Sequence, residues 1–120
     1  MFERREWGER LLNYGAQIIK FVEVLPRTMV GRRIADQLLR CSMSVGANYE
    51  EAQAAESKVD FTHKLQLALQ EARESNYWLR LLAKTKILPL EQLSEALDES
   101  NQLRAILSKA VVTAKGKLKE

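Results

Sequence analysis

The chain has 120 residues, with 19 basic and 16 acidic side chains and a formal net charge of +3. This length fits a single domain, residues 1–120, that can bury a core of its own. One cysteine excludes an intrachain disulfide and favours a reducing compartment.

The sequence contains no candidate targeting or membrane segment. The start, MFERREWGER, is charged from Glu3 onward, unlike the apolar segment of a secretory signal. No apolar run approaches the roughly 20 residues that cross a bilayer. We therefore expect a soluble, cytoplasmic protein with no membrane partner.

Proline separates the first two predicted helices. The first spans about residues 3–24 and ends before Pro26, because proline disfavours helical backbone in the residue that precedes it. The second begins near residues 28–32 and continues to about Ala55. Gly46 lies inside it at a cost of roughly 1 kcal/mol relative to alanine, which indicates a close helix contact or a slight bend.

Start and stop signals also bound the third and fourth helices. Ser57 can cap the third helix, and Asp60 three residues later can complete a capping box. This helix is expected to end near residues 84–87. The fourth runs over about residues 90–114, with Gly116 as its terminator.

Four helices joined by three short connections require antiparallel neighbours. The fold class is therefore all-α, and an antiparallel up-down-up-down four-helix bundle is the most economical arrangement.

Polar residues occur within the predicted contact surfaces of the second and third helices. A seam at helical spacing runs through Ile34, Leu38, Cys41, Val45, Asn48 and Ala52, so Asn48 occupies an expected core position. We predict a buried polar network made of Gln37, Ser44, Asn48, Glu51, Lys64, Glu71 and Glu74. Such a network would fix helix register or oligomeric state. The alternatives are an inter-subunit contact and a ligand or metal site, which would require the three glutamates to converge.

The third helix carries aromatic residues beside its core seam. Tyr77, Trp78 and Leu81 point away from the seam that Leu79 and Leu82 occupy, and large aromatic residues are enriched in interfaces. We predict that they form a homo-oligomer interface. The alternative is additional core within the chain.

Basic residues suggest possible nucleic-acid contacts in two regions. Arg32 and Arg33 start the second helix, where the helix dipole disfavours cations. The candidate phosphate contacts are Arg32, Arg33, Arg40, Lys109, Lys115, Lys117 and Lys119. The alternatives are a solvated basic helix end and, for the arginines, pairing with acidic residues.

Catalysis is not expected. The only histidine, His63, pairs with Asp60 at one-turn spacing, which is too few ligands for a metal site of the ferritin-like kind. Cys41 lies on an apolar seam with no base arranged to activate it. The five glycines are isolated, so no phosphate-binding loop exists. We predict a non-enzyme without cofactor or metal.

The chain resembles the bacterial 23S rRNA intervening-sequence proteins, a family of small four-helix bundles, loosely over its whole length and closely over residues 37–82. The resemblance rests on Gln37–Arg40, Ser44–Asn48, Glu51-Ala52, Ser57, Asp60-Phe61, Lys64-Leu65, Ala68-Leu69, Glu71-Ala72, Glu74 and Tyr77–Leu79. Many members have proline in place of Gly46 and glycine in place of Ala52.

The resemblance implies an antiparallel bundle that assembles into a ring, typically a homopentamer. It also implies similarity to the accessory protein of diversity-generating retroelements, a more basic pentamer that binds nucleic acid and a reverse transcriptase. Five copies at +3 carry about +15, enough for salt-sensitive phosphate binding if the charges converge. We therefore expect an RNA- or DNA-associated accessory or scaffold protein. The alternative is a scaffold that binds only proteins, and convergence of the basic residues on one ring face separates the two.

Overall fold

A computed structural model describes residues 4–119 of the chain, and this part contains four α-helices and no strand. None of these helices combines the length and the apolar content that a membrane crossing requires. The helices are α1 (Arg4–Phe21), α2 (Met29–Gln53), α3 (Lys58–Thr85) and α4 (Leu90–Lys117).

Short local signals define the boundaries of α1 and α2. A 3-10 helix, Val22–Val24, follows α1, so the regular helix ends earlier than the expected residue 24. Thr28 caps α2, and its hydroxyl accepts a hydrogen bond of 3.1 Å from the amide of Gly31. Gly31 is buried against the preceding loop, because a Cβ there would lie 1.9 Å from the Pro26 carbonyl oxygen. The tight entry into α2 therefore requires glycine.

The boundaries of α3 agree with the prediction, whereas the end of α4 does not. Ser57 caps α3 and accepts a 3.0 Å hydrogen bond from the amide of Asp60, as the serine half of a capping box would. Lys86 ends α3 in the left-handed conformation, with φ of 56°. Gly116 was expected to terminate α4, but it lies inside the helix and has no positive φ. The helix therefore continues to Lys117.

The helices pack side by side around one elongated core with principal extents of 50 × 21 × 19 Å. α2 packs against α1 and α3, α3 against α4, and α4 more sparsely against α1. Leucine dominates the fully buried positions: Leu11, Leu38, Leu79, Leu82, Leu93, Leu103 and Leu107. Burying such a side chain contributes roughly 1.5–3 kcal/mol.

The core stripe of α2 differs from the predicted seam at one position. Asn48 is half-exposed, and Tyr49 is buried in its place. Asn48 donates its side-chain amide to the Ser44 carbonyl of the same helix at 2.9 Å. The Tyr49 hydroxyl instead donates to the Arg4 carbonyl at the start of α1, at 3.2 Å. The stripe therefore turns toward α1.

Candidate functional site

A cluster of hydroxyl and amide groups lies at the centre of the bundle, and each of the four helices contributes to it. Ser75 of α3 is hydrogen-bonded to the Tyr14 hydroxyl of α1 and, at 2.7 Å, to the Ser42 hydroxyl of α2. Asn76 donates its amide to the Ser100 hydroxyl of α4 at 3.0 Å. Ser42, Ser75 and Asn76 are fully buried. Burial raises the pKa of Tyr14, so its hydroxyl stays protonated and takes part in the cluster as a neutral group.

The buried polar network predicted from the sequence has other members than this central cluster, and that prediction is wrong for the single chain. Glu51 is exposed, and the other six predicted members are only half-buried: Gln37, Ser44, Asn48, Lys64, Glu71 and Glu74. They lie on the outer side of the α2–α3 pair, because the core stripes of both helices pass beside them. Ser42 and Ser75 could have indicated the true cluster from the sequence, because small polar residues on the apolar seams of two helices can meet in a core.

Three of the predicted network residues nevertheless interact with the Arg40 side chain on the surface. Arg40 forms ion pairs with Glu74 and, at 3.2 Å, with Glu71. Its guanidinium also donates to the Gln37 side-chain oxygen at 3.1 Å. These bonds raise the pKa of Arg40, with the Glu74 hydrogen bond as the main cause. Arg40 was a predicted phosphate contact, but its guanidinium is already bound to two glutamates and a glutamine. It is therefore unsuited to binding phosphate.

The predicted interface residues form a ridge on α3 beside this ion-pair group. Tyr77 is 50% exposed, and its ring meets the Trp78 ring edge-on at a centroid distance of 5.4 Å. Trp78 is half-buried, packs against the core, and donates its indole N–H to Glu74 at 3.1 Å. Leu81 is half-buried. We call Tyr77, Trp78 and Leu81 the aromatic ridge.

The two residues that the sequence analysis rejected as catalytic groups, Cys41 and His63, have the environments of a structural and a surface residue. Cys41 is fully buried, and burial raises the pKa of its thiol to about 11, which suppresses the reactive thiolate. His63 is exposed. Among residues 4–119, no three His, Cys, Asp or Glu side chains are placed to hold a metal ion.

The predicted basic residues do not converge within one chain. Arg32 and Arg33 are exposed in the first turns of α2, whereas Lys109 and Lys117 of α4 lie beside the last turns of α2. The rise of a helix puts Arg33 and Gln53 about 30 Å apart. Lys115 and Lys119 are exposed near the end of α4. The single chain therefore has two separate basic regions.

An apolar groove opens beside the second of these regions, where α1 and α2 meet α3 and α4. Its volume is about 1030 Å³, at the upper end for small-molecule sites. Its charged lining consists of Arg4, Lys58, Lys109, Lys117 and one carboxylate, Glu56. Its aromatic lining consists of Trp7, Tyr49 and Phe61. We call this cavity the end groove. Sequence reasoning missed Arg4 and Lys58, because only the packing of four helices brings them to the lysines of α4.

A second groove, of about 1010 Å³, lies between α1 and α2 on the outside of the bundle. Leu12, Ile19 and Met43 line it and are 65%, 45% and 48% exposed. We call this cavity the outer groove. Its charged lining is balanced, with two arginines and two glutamates: Arg4, Arg5, Glu9 and Glu50.

The comparisons with known proteins identify the family. The family model for the 23S rRNA-intervening sequence protein matches residues 9–109, which covers most of the chain. The chain belongs to this family. A crystal structure of a protein with unknown function from the S23 ribosomal protein family, from Bacteroides thetaiotaomicron, is 29% identical, with a TM-score of 0.77. The match covers 92% of this chain and 98% of that chain. No curated protein matches.

Proposed function

We propose that this intervening-sequence family protein is a non-enzymatic RNA- or DNA-associated accessory or scaffold protein. Its end groove and the adjacent lysines of α4 contact the phosphate backbone. The four helices run up-down-up-down, and copies of the chain assemble into a ring, a homopentamer in the simplest form. A cytoplasmic location is part of this proposal.

The charge of the end groove is the observation that carries this proposal. Four cationic side chains and one carboxylate line it, so it alone holds a net charge equal to that of the whole chain. None of the four cations forms an ion pair within 4.0 Å among residues 4–119. They can therefore exchange their counterions for phosphates, which is the main source of backbone affinity.

Pairs of contacting residues support the up-down-up-down direction of the helices. Tyr49, in the last turns of α2, donates its hydroxyl to the carbonyl of Arg4 at the start of α1. Lys58 at the start of α3 lines the same cavity as Gln53 at the end of α2 and Lys117 at the end of α4. An alternating bundle brings such early and late positions together.

The aromatic ridge supports self-association. Tyr77 exposes half of its surface beside the half-buried Trp78 and Leu81, and aromatic residues of this kind are common interface anchors. A ring would repeat the end groove in every copy, so that weak single contacts with one nucleic acid would add.

The environment of Cys41 supports a non-enzymatic role, because a buried thiol with a raised pKa is a poor nucleophile.

A protein-binding scaffold is the second candidate, and the outer groove favours it. Leu12, Ile19 and Met43 expose apolar surface there without a comparable set of cations. Exposed apolar grooves are common docking sites for partner helices. In that case the lysines of α4 would only be solvated.

Binding to a structured RNA, measured from low to near-physiological salt with light scattering on the same samples, tests the proposal. We expect a defined oligomer whose affinity falls steeply with salt. No binding at low salt by a well-formed oligomer would refute the nucleic-acid role and favour the scaffold. A monomer that binds RNA would refute the ring alone.

A further inference from the structure

We propose that the end groove selects single-stranded over duplex nucleic acid by holding an unpaired base among its aromatic side chains. This inference rests on the proposed function and deepens it, since backbone contacts alone would not distinguish the two forms in this way.

Three aromatic side chains from three helices line the end groove. Trp7 of α1 and Phe61 of α3 are half-buried, pack against the core and also line the cavity. Tyr49 of α2 is only 7% exposed, and its hydroxyl is fixed to the Arg4 carbonyl. Single-strand binding proteins combine such aromatic surfaces with a cationic groove, and bases stack on the aromatic rings. A paired base inside a duplex cannot reach them.

The cations lie where the phosphates of a seated strand would pass. Arg4, Lys58 and Lys109 come from α1, α3 and α4 and line the same cavity as the aromatic residues. A base and its flanking phosphates are therefore within reach of one site. The cavity volume of about 1030 Å³ leaves room for a flat aromatic ligand.

An unsatisfied buried acceptor beside the end groove favours a ligand that carries hydrogen-bond donors. Gln53 lines both the end groove and the outer groove, and its Oε1 atom is buried without a hydrogen-bond partner among the described residues. A buried polar atom of this kind favours a donor. The amino groups of bases are donors, whereas the phosphate ester of a nucleotide and the carboxylate of a fatty acid offer none.

The two tryptophans allow a direct test, because Trp7 lines the end groove and Trp78 belongs to the aromatic ridge. Trp78→Phe leaves Trp7 as the only indole reporter, and Trp7→Phe leaves Trp78. The probe is a single-stranded RNA of about 12 nucleotides, a length within the range that such grooves cover. The comparison probes are the same RNA annealed to its complement, an abasic strand of the same length, and oleate.

We expect the single strand to quench Trp7 fluorescence and to leave Trp78 nearly unchanged. The duplex and the abasic strand should bind about tenfold more weakly, since neither offers an unpaired base to the aromatic side chains. Phe61→Leu keeps apolar volume but removes a ring, and it should lower single-strand affinity several-fold while duplex affinity stays constant. Leu90→Ala, at the start of α4, is the matched control and should change neither.

The outcomes separate this inference from the proposed function. RNA binding with equal single-strand and duplex affinity and no Trp7 response overturns the inference and leaves the proposed function standing. Quenching by oleate but not by RNA overturns it in favour of an amphiphile site. A Trp7 change that follows protein concentration alone overturns it in favour of a second copy of the chain. No RNA binding at low salt overturns both proposals. If Trp7→Phe fails to fold, the Trp78→Phe protein and Phe61→Leu still decide the question.

Discussion

Ser42 and Ser75 are hydrogen-bonded to each other at 2.7 Å in the fully buried centre of the bundle. Because Ser75 also bonds to the Tyr14 hydroxyl, one small side chain connects α1, α2 and α3. A shift in the register of any of these helices would leave buried hydroxyl groups unpaired. The contact therefore makes the core specific for one alignment of its helices.

Ser75→Ala is expected to destabilise the protein. It leaves the Tyr14 and Ser42 hydroxyls without this partner, and an unsatisfied buried polar group costs about 1–3 kcal/mol. Urea unfolding measures the effect. Ser44→Ala is the control, because Ser44 is half-exposed and donates to a carbonyl of its own helix. Equal stability of the two variants would mean that the central cluster contributes no specific stabilisation.

Gly31→Ala and Gly15→Ala are expected to have opposite effects. A Cβ at Gly31 would meet the Pro26 carbonyl oxygen at 1.9 Å, whereas a Cβ at Gly15 meets nothing within 4 Å. The first change should lower stability by about 2 kcal/mol or more, because backbone must move. The second should raise it by roughly 0.5–1 kcal/mol through helix propensity. Thermal unfolding tests the pair, and a stable Gly31→Ala variant would contradict the tight entry into α2.

The Arg40–Glu74 ion pair is expected to contribute stability only above moderately acidic pH. The hydrogen bond from Arg40 is the main cause of the lowered pKa of Glu74. A lowered pKa in the folded state stabilises the protein above the unfolded-state pKa, about 4.3 for glutamate, and this contribution disappears as the pH falls through the folded-state pKa.

Arg40→Gln tests this linkage through unfolding measured from about pH 7 down to pH 3, where the glutamate becomes protonated. The stability difference from the unmodified protein should be constant near neutrality and shrink below about pH 4. It should be small, because the two side chains are 49% and 35% exposed and solvent screens the pair. Arg33→Gln is the control, since this exposed arginine has no ion pair within residues 4–119. A difference that grows as the pH falls would contradict the assignment.

The sequence predicts the helices well because their signals are local. The Ser57 cap and the Pro26 break each act within a few residues. Which residues are buried and which line a groove depends instead on helix direction and packing. The seam of α2 was misassigned at Asn48 because a strict seven-residue repeat drifts by about 20° per heptad on a straight helix, and the Tyr49 side faces α1. The end groove could not be assigned from any one segment, since four helices contribute to it.

Trp78→Ala is expected to weaken self-association. Trp78 joins the exposed Tyr77 in the aromatic ridge, and truncating an aromatic interface anchor typically costs more than 1–2 kcal/mol of binding. Native mass measured over a dilution series should show dissociation at higher concentration than for the unmodified protein. Circular dichroism must show that the variant stays helical, because Trp78 also packs against the core. An unchanged mass at every concentration would exclude the ridge as an interface.

The most direct test of the account compares the salt dependence of RNA binding in two triple variants. One replaces Lys58, Lys109 and Lys117 at the end groove by glutamine. The other replaces Arg32, Arg33 and Lys84, which are exposed and lie outside the end groove. Loss of three phosphate contacts should reduce the slope of log K against log salt by about 2–3 in the first variant and leave the second unchanged. Equal slopes, or a loss confined to the second variant, would contradict the assignment of the end groove as the nucleic-acid site.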